Sequence, residues 1–255
     1  MTERRRELAA AFGLLTRLPL GHRLPAPGTV DAAAGVWAYP VVGLVVGLLT
    51  GLVYAVAHGL GMAPFLAACW AMLADVLLTG GLHADGLADS ADGLGGGATS
   101  ARRLAIMRDS RIGSYGALAL VLSTAMRIAA LGSIGSSGAV LAAVLVAGAL
   151  GRAAMVVVQR HSPPARSDGL AARLGAIPAG PARFGAAIAA LAAIILLPFQ
   201  AALIAVLLAG FGARLWALFG RSRLGGHTGD TLGAIEIITE CLVLSVAASV
   251  GPAWR

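Results

Sequence analysis

Lysine is absent from this chain of 255 residues: all 19 basic side chains are arginines, and with 12 acids they give a formal charge of +7. A basic balance can signal nucleic acid, but these arginines are scattered between apolar runs and aromatic residues make up only 5%. Without a stacking surface for bases, the charges are read as orienting loops at a membrane, and nucleic acid is set aside as a partner. Charge of either sign is also scarce, at 12% of residues where soluble domains carry about a quarter. That deficit, together with 58% hydrophobic residues and a mean hydropathy of +0.84, points to lipid replacing water as the solvent. Of the two cysteines, Cys69 and Cys241, each lies in an apolar run without a partner at metal or redox spacing. They read as small buried apolar residues, and no disulfide framework is expected.

What the chain does have is apolar runs, and a spanning helix needs about 20 mostly apolar residues. Candidates run from Ala33 to Ala57, Leu60 to Leu82, Ser114 to Ile134, Ala139 to Val158, Phe184 to Pro198, Ala201 to Phe219 and Leu232 to Val250. The pair between Phe184 and Phe219 reads as a hairpin or one kinked element, with the hairpin preferred. Before them, Arg4, Arg5 and Arg6 precede an apolar stretch from Leu8 to Leu20 that Arg17 interrupts. It lacks a signal peptide's cleavage site and reads as an interfacial amphipathic helix. The fold expected is an all-α, polytopic transmembrane helical bundle of six to seven spans, residues 1–255 forming one integral membrane domain. With seven spans, the Arg-rich N-terminus and the polar stretches 83–113, 159–182 and 220–231 all fall on one side. The positive-inside rule makes that side cytoplasmic, in a bacterial cytoplasmic (inner) membrane. A site assembled from several loops then becomes geometrically feasible.

The segment from His83 to Gly113 holds four aspartates and four arginines, a composition intolerable against lipid. In a helix, Asp85, Asp89 and Asp92 share a face. Carboxylates about 6 Å apart repel by roughly 3 kcal/mol at an effective dielectric near 20, so a cation must compensate. Hard oxygen ligands favour Mg²⁺ or Mn²⁺ over zinc, and Mg²⁺ is expected. A solvated acidic face explains one or two aspartates, but not three at a membrane boundary beside the glycine run Gly93, Gly95, Gly96 and Gly97. That run can bring backbone amides to phosphate oxygens or be a plain turn.

Arg108 and Arg111, on one side of a helix, suit phosphate recognition, with membrane-surface anchoring as the ordinary alternative. Metal-binding carboxylates beside phosphate-binding arginines imply phosphoryl transfer. Farther on, Asp230 can cap the last helix, and Glu236, inside an apolar helix, needs a partner and can face the same site as a metal ligand. Asp75 and Glu240 lie deeper, where Arg127 and Arg152 can neutralise them, with service of Arg152 at the site as the alternative. His83 is either a ligand, an acid/base or a satisfied structural histidine.

Several of these segments resemble the cobalamin synthases, or adenosylcobinamide-GDP ribazoletransferases. The matching residues are Thr79-Gly80-Gly81-Leu82-His83, Asp85-Gly86-Leu87-Ala88-Asp89, Asp92-Gly93-Leu94 and Met107-Arg108-Asp109-Ser110-Arg111-Ile112-Gly113. Thr16-Arg17-Leu18-Pro19, Gly151-Arg152, Ala165-Arg166 and the stretch from Gly225 to Glu236 extend the likeness along nearly the whole chain. The resemblance implies transfer of the adenosylcobinamide phosphoryl group from adenosylcobinamide-GDP to α-ribazole or its 5′-phosphate, with release of GMP and Mg²⁺ as cofactor. Asp85, Asp89, Asp92 and Glu236 would hold the metal, and His83, Arg108, Arg111, Arg152, Arg166 and Asp230 would bind substrate. Asp89 or Asp109 would accept the ribazole proton. A homo-oligomer is compatible with this reading. One departure is that Ser162-Pro163-Pro164-Ala165-Arg166 lacks the tyrosine expected just before Ala-Arg, which puts an aromatic contact there in doubt. Two rivals fit less well. Asp89-Ser90-Ala91-Asp92-Gly93 opens like a CDP-alcohol phosphotransferase motif, but Leu94-Gly95-Gly96 follows where an Ala-Arg pair is due. An ion-coupled transporter would place its acids near the midplane on broken helices, whereas most acids here lie in loops on one side.

Overall fold

The computed structural model describes residues 3–18, 32–168 and 174–250, and among them the chain is helical apart from one isolated β-bridge. The helices are α1 (Glu3–Leu15), α2 (Tyr39–Gly59, entered through a 3₁₀ turn at Ala34–Ala38), α3 (Pro64–Thr79), α4 (Leu82–Gly96) and α5 (Ser100–Ile106). They continue as α6 (Ser114–Ile134), α7 (Ser137–His161), α8 (Ala179–Leu196), α9 (Phe199–Leu224) and α10 (Gly229–Ser249). Among the described residues six helices are long and apolar enough to cross a membrane, and the count rises to seven if α3 and α4, bent at 89°, are taken together as one span. The protein is a multi-pass membrane protein.

Packing runs opposite to that of a soluble protein. In α8 and α9 the buried positions are small, Ala189, Ala193, Ala201, Ala205 and Ala209, while Ile195, Leu207 and Phe211 point outward, 60–70% exposed. Lipid tails solvate large apolar side chains as well as a protein core does, so close packing of small residues holds such helices together. The extreme case is α2 against α7, the most closely packed pair. Gly43 and Gly47, one turn apart, lie against the backbone of Gly148 and Val144, and any side chain at Gly43 would overlap the Gly148 carbonyl. Helix α7 is buried along nearly its whole length and forms the axis of the bundle.

The expected second span is shortened. Helix α3 has 16 residues, about 24 Å at 1.5 Å per residue, because Gly80 and Gly81 both adopt left-handed φ, +66° and +69°. These two residues turn the chain so that α4 meets α3 at 89° and lies across the end of the bundle rather than through it. The acidic segment is thereby a helix held against α10 and α6. Residues 184–219 form the expected hairpin, with Pro198 at the start of α9.

Helix α1 starts earlier than its apolar stretch suggests, at Glu3, and buries Glu7, Ala11 and Leu15. Glu7 accepts a 2.6 Å hydrogen bond from Trp37 Nε1, so this helix is docked on the turn preceding α2. Residues 19–20 and 169–173, part of the expected N-terminal helix and of the second polar stretch, lie outside the described residues.

The polar segments meet at one end. Arg17 N donates to Leu78 O (2.7 Å), Arg103 reaches Arg223 O (3.1 Å), and Arg108 binds Asp168. At the other end Tyr54 Oη donates to Gly135 O. The connections there, 60–63, 135–136 and 197–198, contain no Asp, Glu, Lys or Arg.

Candidate active site

A cavity of about 310 Å³ opens between the start of α4, the end of α7 and the start of α10. Local chemistry explains how these ends converge. Thr228 caps α10 in a capping box with Thr231, so the cap is Thr228 rather than Asp230. His227 N donates to Pro163 O and Ala165 N donates to His227 O, both at 2.8 Å. This two-bond bridge clips the segment after α7 to the segment before α10 and carries Arg166 to within 3.8 Å of Asp230. Asp230 also accepts from Thr228 Oγ1 at 3.2 Å. On α4, Gly86 admits the Asp230 backbone, which a Cβ there would approach to 2.8 Å.

Asp85 and Asp230 line the cavity together with His83 and Arg166. Asp89, one turn after Asp85, is partly buried, and its carboxyl is pushed up to about 6, first by burial and then by Asp85, Asp230 and Asp92, against the pull of Arg166. Burial is the larger cause, and the added repulsion from three carboxylates is negative charge that a cation would relieve. Arg166 donates to Leu104 O (3.0 Å) and retains a buried Nε without a partner.

Asp92 is placed differently from its expected role. Its two oxygens accept from Gly113 N (2.7 Å) and Gly116 N (2.9 Å), satisfying amides at the start of α6 where the helix dipole favours negative charge. The arginines expected to share a helical side do not, because α5 ends at Ile106. Arg108 Nη2 donates to both carboxylate oxygens of Asp168 (2.8 and 2.6 Å), and Arg111 pairs with Asp109 (2.6 Å). The Arg111 guanidinium holds the Asp109 carboxyl down at about 2, and the pair is largely in solvent.

Glu236 and Arg152 lie beneath the cavity rather than on its wall. Arg152 Nη1 is 2.8 Å from Glu236 Oε1, and Glu236 Oε2 is 3.4 Å from His83 Nδ1, a close approach without hydrogen-bond geometry to an imidazole that burial, with Arg152 and Arg127, holds in its neutral form. Among the described residues, no group of three or more His, Cys, Asp or Glu side chains is gathered tightly enough to hold a metal by itself. Sequence reasoning missed Tyr39, Gln159 and His227 as wall residues. Gln159 and His227 lie in the stretches 159–182 and 220–231 assigned to the site without being singled out, and Tyr39 lies in neither.

The comparisons with known proteins bear on this geometry. A family model described as cobalamin-5-phosphate synthase matches residues 7–248. The chain belongs to that family. An adenosylcobinamide-GDP ribazoletransferase of Bradyrhizobium diazoefficiens is 43% identical over 243 residues, covering 95% of this chain and 93% of the relative. The enzyme of the same name from Mesorhizobium japonicum is 42% identical over 242 residues, covering 95% and 92%. A third, from Azorhizobium caulinodans, is 42% identical over 251 residues, covering 93% of each chain. No solved structure matches the chain.

Proposed function

We infer that this protein catalyses the reaction named for its relatives, joining the adenosylcobinamide phosphoryl group of adenosylcobinamide-GDP to α-ribazole or its 5′-phosphate and releasing GMP. The observation that carries this reading is the cavity at the membrane face where Asp85, Asp230 and Arg166 share one wall. In the reaction an acceptor hydroxyl forms a new bond to the phosphorus bearing the corrinoid, and the bond from that phosphorus to the bridging oxygen breaks. GMP leaves with the bridging oxygen, and the hydroxyl proton passes to a base. Phosphoryl transfer asks a protein mainly for positioning and charge neutralisation. Arg166, with an unpartnered Nε, supplies a cation to the phosphate oxygens. Of the two base candidates, Asp89 near 6 is ionised at neutral pH and still basic enough to take up a proton, whereas Asp109 near 2 is a far weaker base.

The donor set fits Mg²⁺, which is commonly held by one or two carboxylates, waters and substrate phosphates rather than by an all-protein cage. Asp85 and Asp230 would hold it. When bound, the ion would draw charge from the diphosphate and stabilise the leaving oxygen. The arginine-bearing connections all lie at the site's end of the bundle, and the opposite connections carry no charge. By the positive-inside rule the site faces the cytoplasm, in a bacterial inner membrane.

Purified protein given adenosylcobinamide-GDP, α-ribazole and Mg²⁺ releases GMP in step with cobalamin on this account. GMP without cobalamin, or no GMP, contradicts it.

A further inference from the structure

A second hollow adjoins the first. A groove of about 520 Å³ lies on the other side of the start of α4, bounded by Arg17, Thr79, Gly80 and Leu120, and it shares Leu14, Leu82 and Asp85 with the cavity. The two differ in construction. The cavity is walled mainly by buried residues, among them Tyr39, His83, Met155, Gln159 and Leu232. The groove is lined mainly by exposed and half-buried residues, the exposed ones being Gly13, Arg17, Gly80, Leu82 and Asp85.

The cavity's lining is part apolar and part polar. Leu15, Tyr39, Met155 and Leu232, with Leu14 and Leu174 against them, belong to a single apolar cluster. The same lining also holds the polar side chains of His83, Gln159, Arg166, Thr228 and Asp230, with Gln159 one helical turn from Met155. His83 Nε2 and Gln159 Oε1 are both buried and have no hydrogen-bond partner, on side chains no more than 6% exposed. A buried polar atom left unpaired is costly, and in a cavity wall it signals a polar group that arrives with a ligand. The ligand that fits has a flat apolar part and a hydroxylated part. At 310 Å³ the space is at the small end of the ~300–1,000 Å³ range of ligand pockets, room for a nucleoside but not for a macrocycle.

The groove offers the complementary chemistry. Arg17 makes no side-chain hydrogen bond or ion pair among the described residues, and its backbone is fixed by the bond from its N to Leu78 O. Its side chain lies over Gly80, where any Cβ would collide with it. The groove borders Leu120 of the spanning helix α6, so it is open to a large amphiphile carrying a nucleoside diphosphate.

We propose that the two hollows separate the two substrates: the buried cavity seats the nucleoside acceptor, the groove seats the diphosphate donor with Arg17 on its phosphates, and transfer occurs at the Asp85 wall they share. This layout rests on the transfer reaction proposed above. Tyr39 and Met155 then hold the base, Gln159 and His83 meet polar groups of the nucleoside, and Arg17 acts only on the donor.

The test is a KM split, measured on the full chain in lipid nanodiscs, with equilibrium binding of α-ribazole alone as a second readout. Gln159→Leu and the cavity-filling Met155→Phe are expected to raise the α-ribazole KM about tenfold and to weaken its binding equally, with the adenosylcobinamide-GDP KM within about twofold of wild type. Arg17→Gln is expected to do the reverse, raising the donor KM about tenfold while α-ribazole binding is unmoved, and Arg17→Lys recovers part of the loss. A retained KM for the untouched substrate shows that each variant is folded. If wild type turns over but the cavity variants leave the acceptor KM and binding unchanged, or Arg17→Gln weakens α-ribazole, the layout is overturned and the reaction stands. If wild type binds α-ribazole, loses it in Met155→Phe and releases no GMP, the reaction is overturned and the acceptor seat stands.

Discussion

Arg152 Nη1 and Glu236 Oε1 stand 2.8 Å apart with both side chains shut off from solvent, and their contact is the first in a chain of buried charge. Arg152 also lies 3.9 Å from Glu240, which pairs with Arg127 at 2.9 Å, and Arg127 reaches Asp75 at 3.5 Å. The chain ties α7, α10, α6 and α3 together directly under the cavity, and its upper end touches His83. Breaking such a pair leaves an uncompensated charge. Arg152→Ala or Glu236→Ala is expected to destabilise by about 3–5 kcal/mol, whereas replacing both residues with methionine costs less than either single change. Thermal unfolding of the three variants in one detergent checks this, and additive losses would contradict it.

Asp92 separates a capping role from a metal-binding one. With both oxygens on amides of α6, Asp92→Ala is expected to lower stability by about 0.5–2 kcal/mol. The Mg²⁺ concentration giving half-maximal rate stays where it is. A large shift in that midpoint at unchanged stability would make Asp92 a ligand.

The pH profile distinguishes the two base candidates. Asp89 must be ionised to take the acceptor proton, and in the free chain its carboxyl is raised to about 6, so kcat/KM is expected to fall as pH drops through about 6. Asp89→Asn lowers kcat by about 10²–10⁴-fold and removes that acid limb. Asp109→Asn leaves kcat and the limb in place, because Arg111 already keeps Asp109 ionised across this range. An acid limb that survives in Asp89→Asn assigns the proton elsewhere.

The turn between α3 and α4 depends on two glycines for different reasons. At Gly81 a Cβ meets nothing closer than 4.0 Å, so Gly81→Ala carries only the left-handed backbone cost, about 1–2 kcal/mol. At Gly80 the same cost is joined by a collision with Arg17. Gly80→Ala is therefore expected to be the less stable of the two and to raise the donor KM, which Gly81→Ala does not. Equal effects on stability and KM would remove the contact with Arg17 from the account.

Much of this architecture was legible because lipid imposes a simple rule on sequence. Apolar runs of sufficient length marked the spans, and their parity placed the polar stretches at one face. The spacing of Asp85 and Asp89 was readable for the same local reason, a helical turn. What was not readable depends on contacts between distant segments. The amides that Asp92 caps are 21 and 24 residues away, and Arg108 finds Asp168 60 residues on. Tyr39, Gln159 and His227 share a wall only because the bridge between residues 163–165 and His227 closes the end of the bundle. The shortening of α3 was written in Gly80 and Gly81, but an apolar run extending to Leu82 concealed it.

The central claim is that carboxylates on the wall of a membrane-face cavity support transfer of a phosphoryl group to α-ribazole. Its most direct test is the rate of GMP release against Mg²⁺ concentration, with adenosylcobinamide-GDP and α-ribazole both present, for wild type, Asp85→Asn and Asp230→Asn. The account predicts Mg²⁺-dependent GMP release matched by cobalamin in wild type, and a higher Mg²⁺ midpoint with at least about a hundredfold lower rate in either variant. GMP release that needs no Mg²⁺, or that both variants sustain at the wild-type rate, would contradict it.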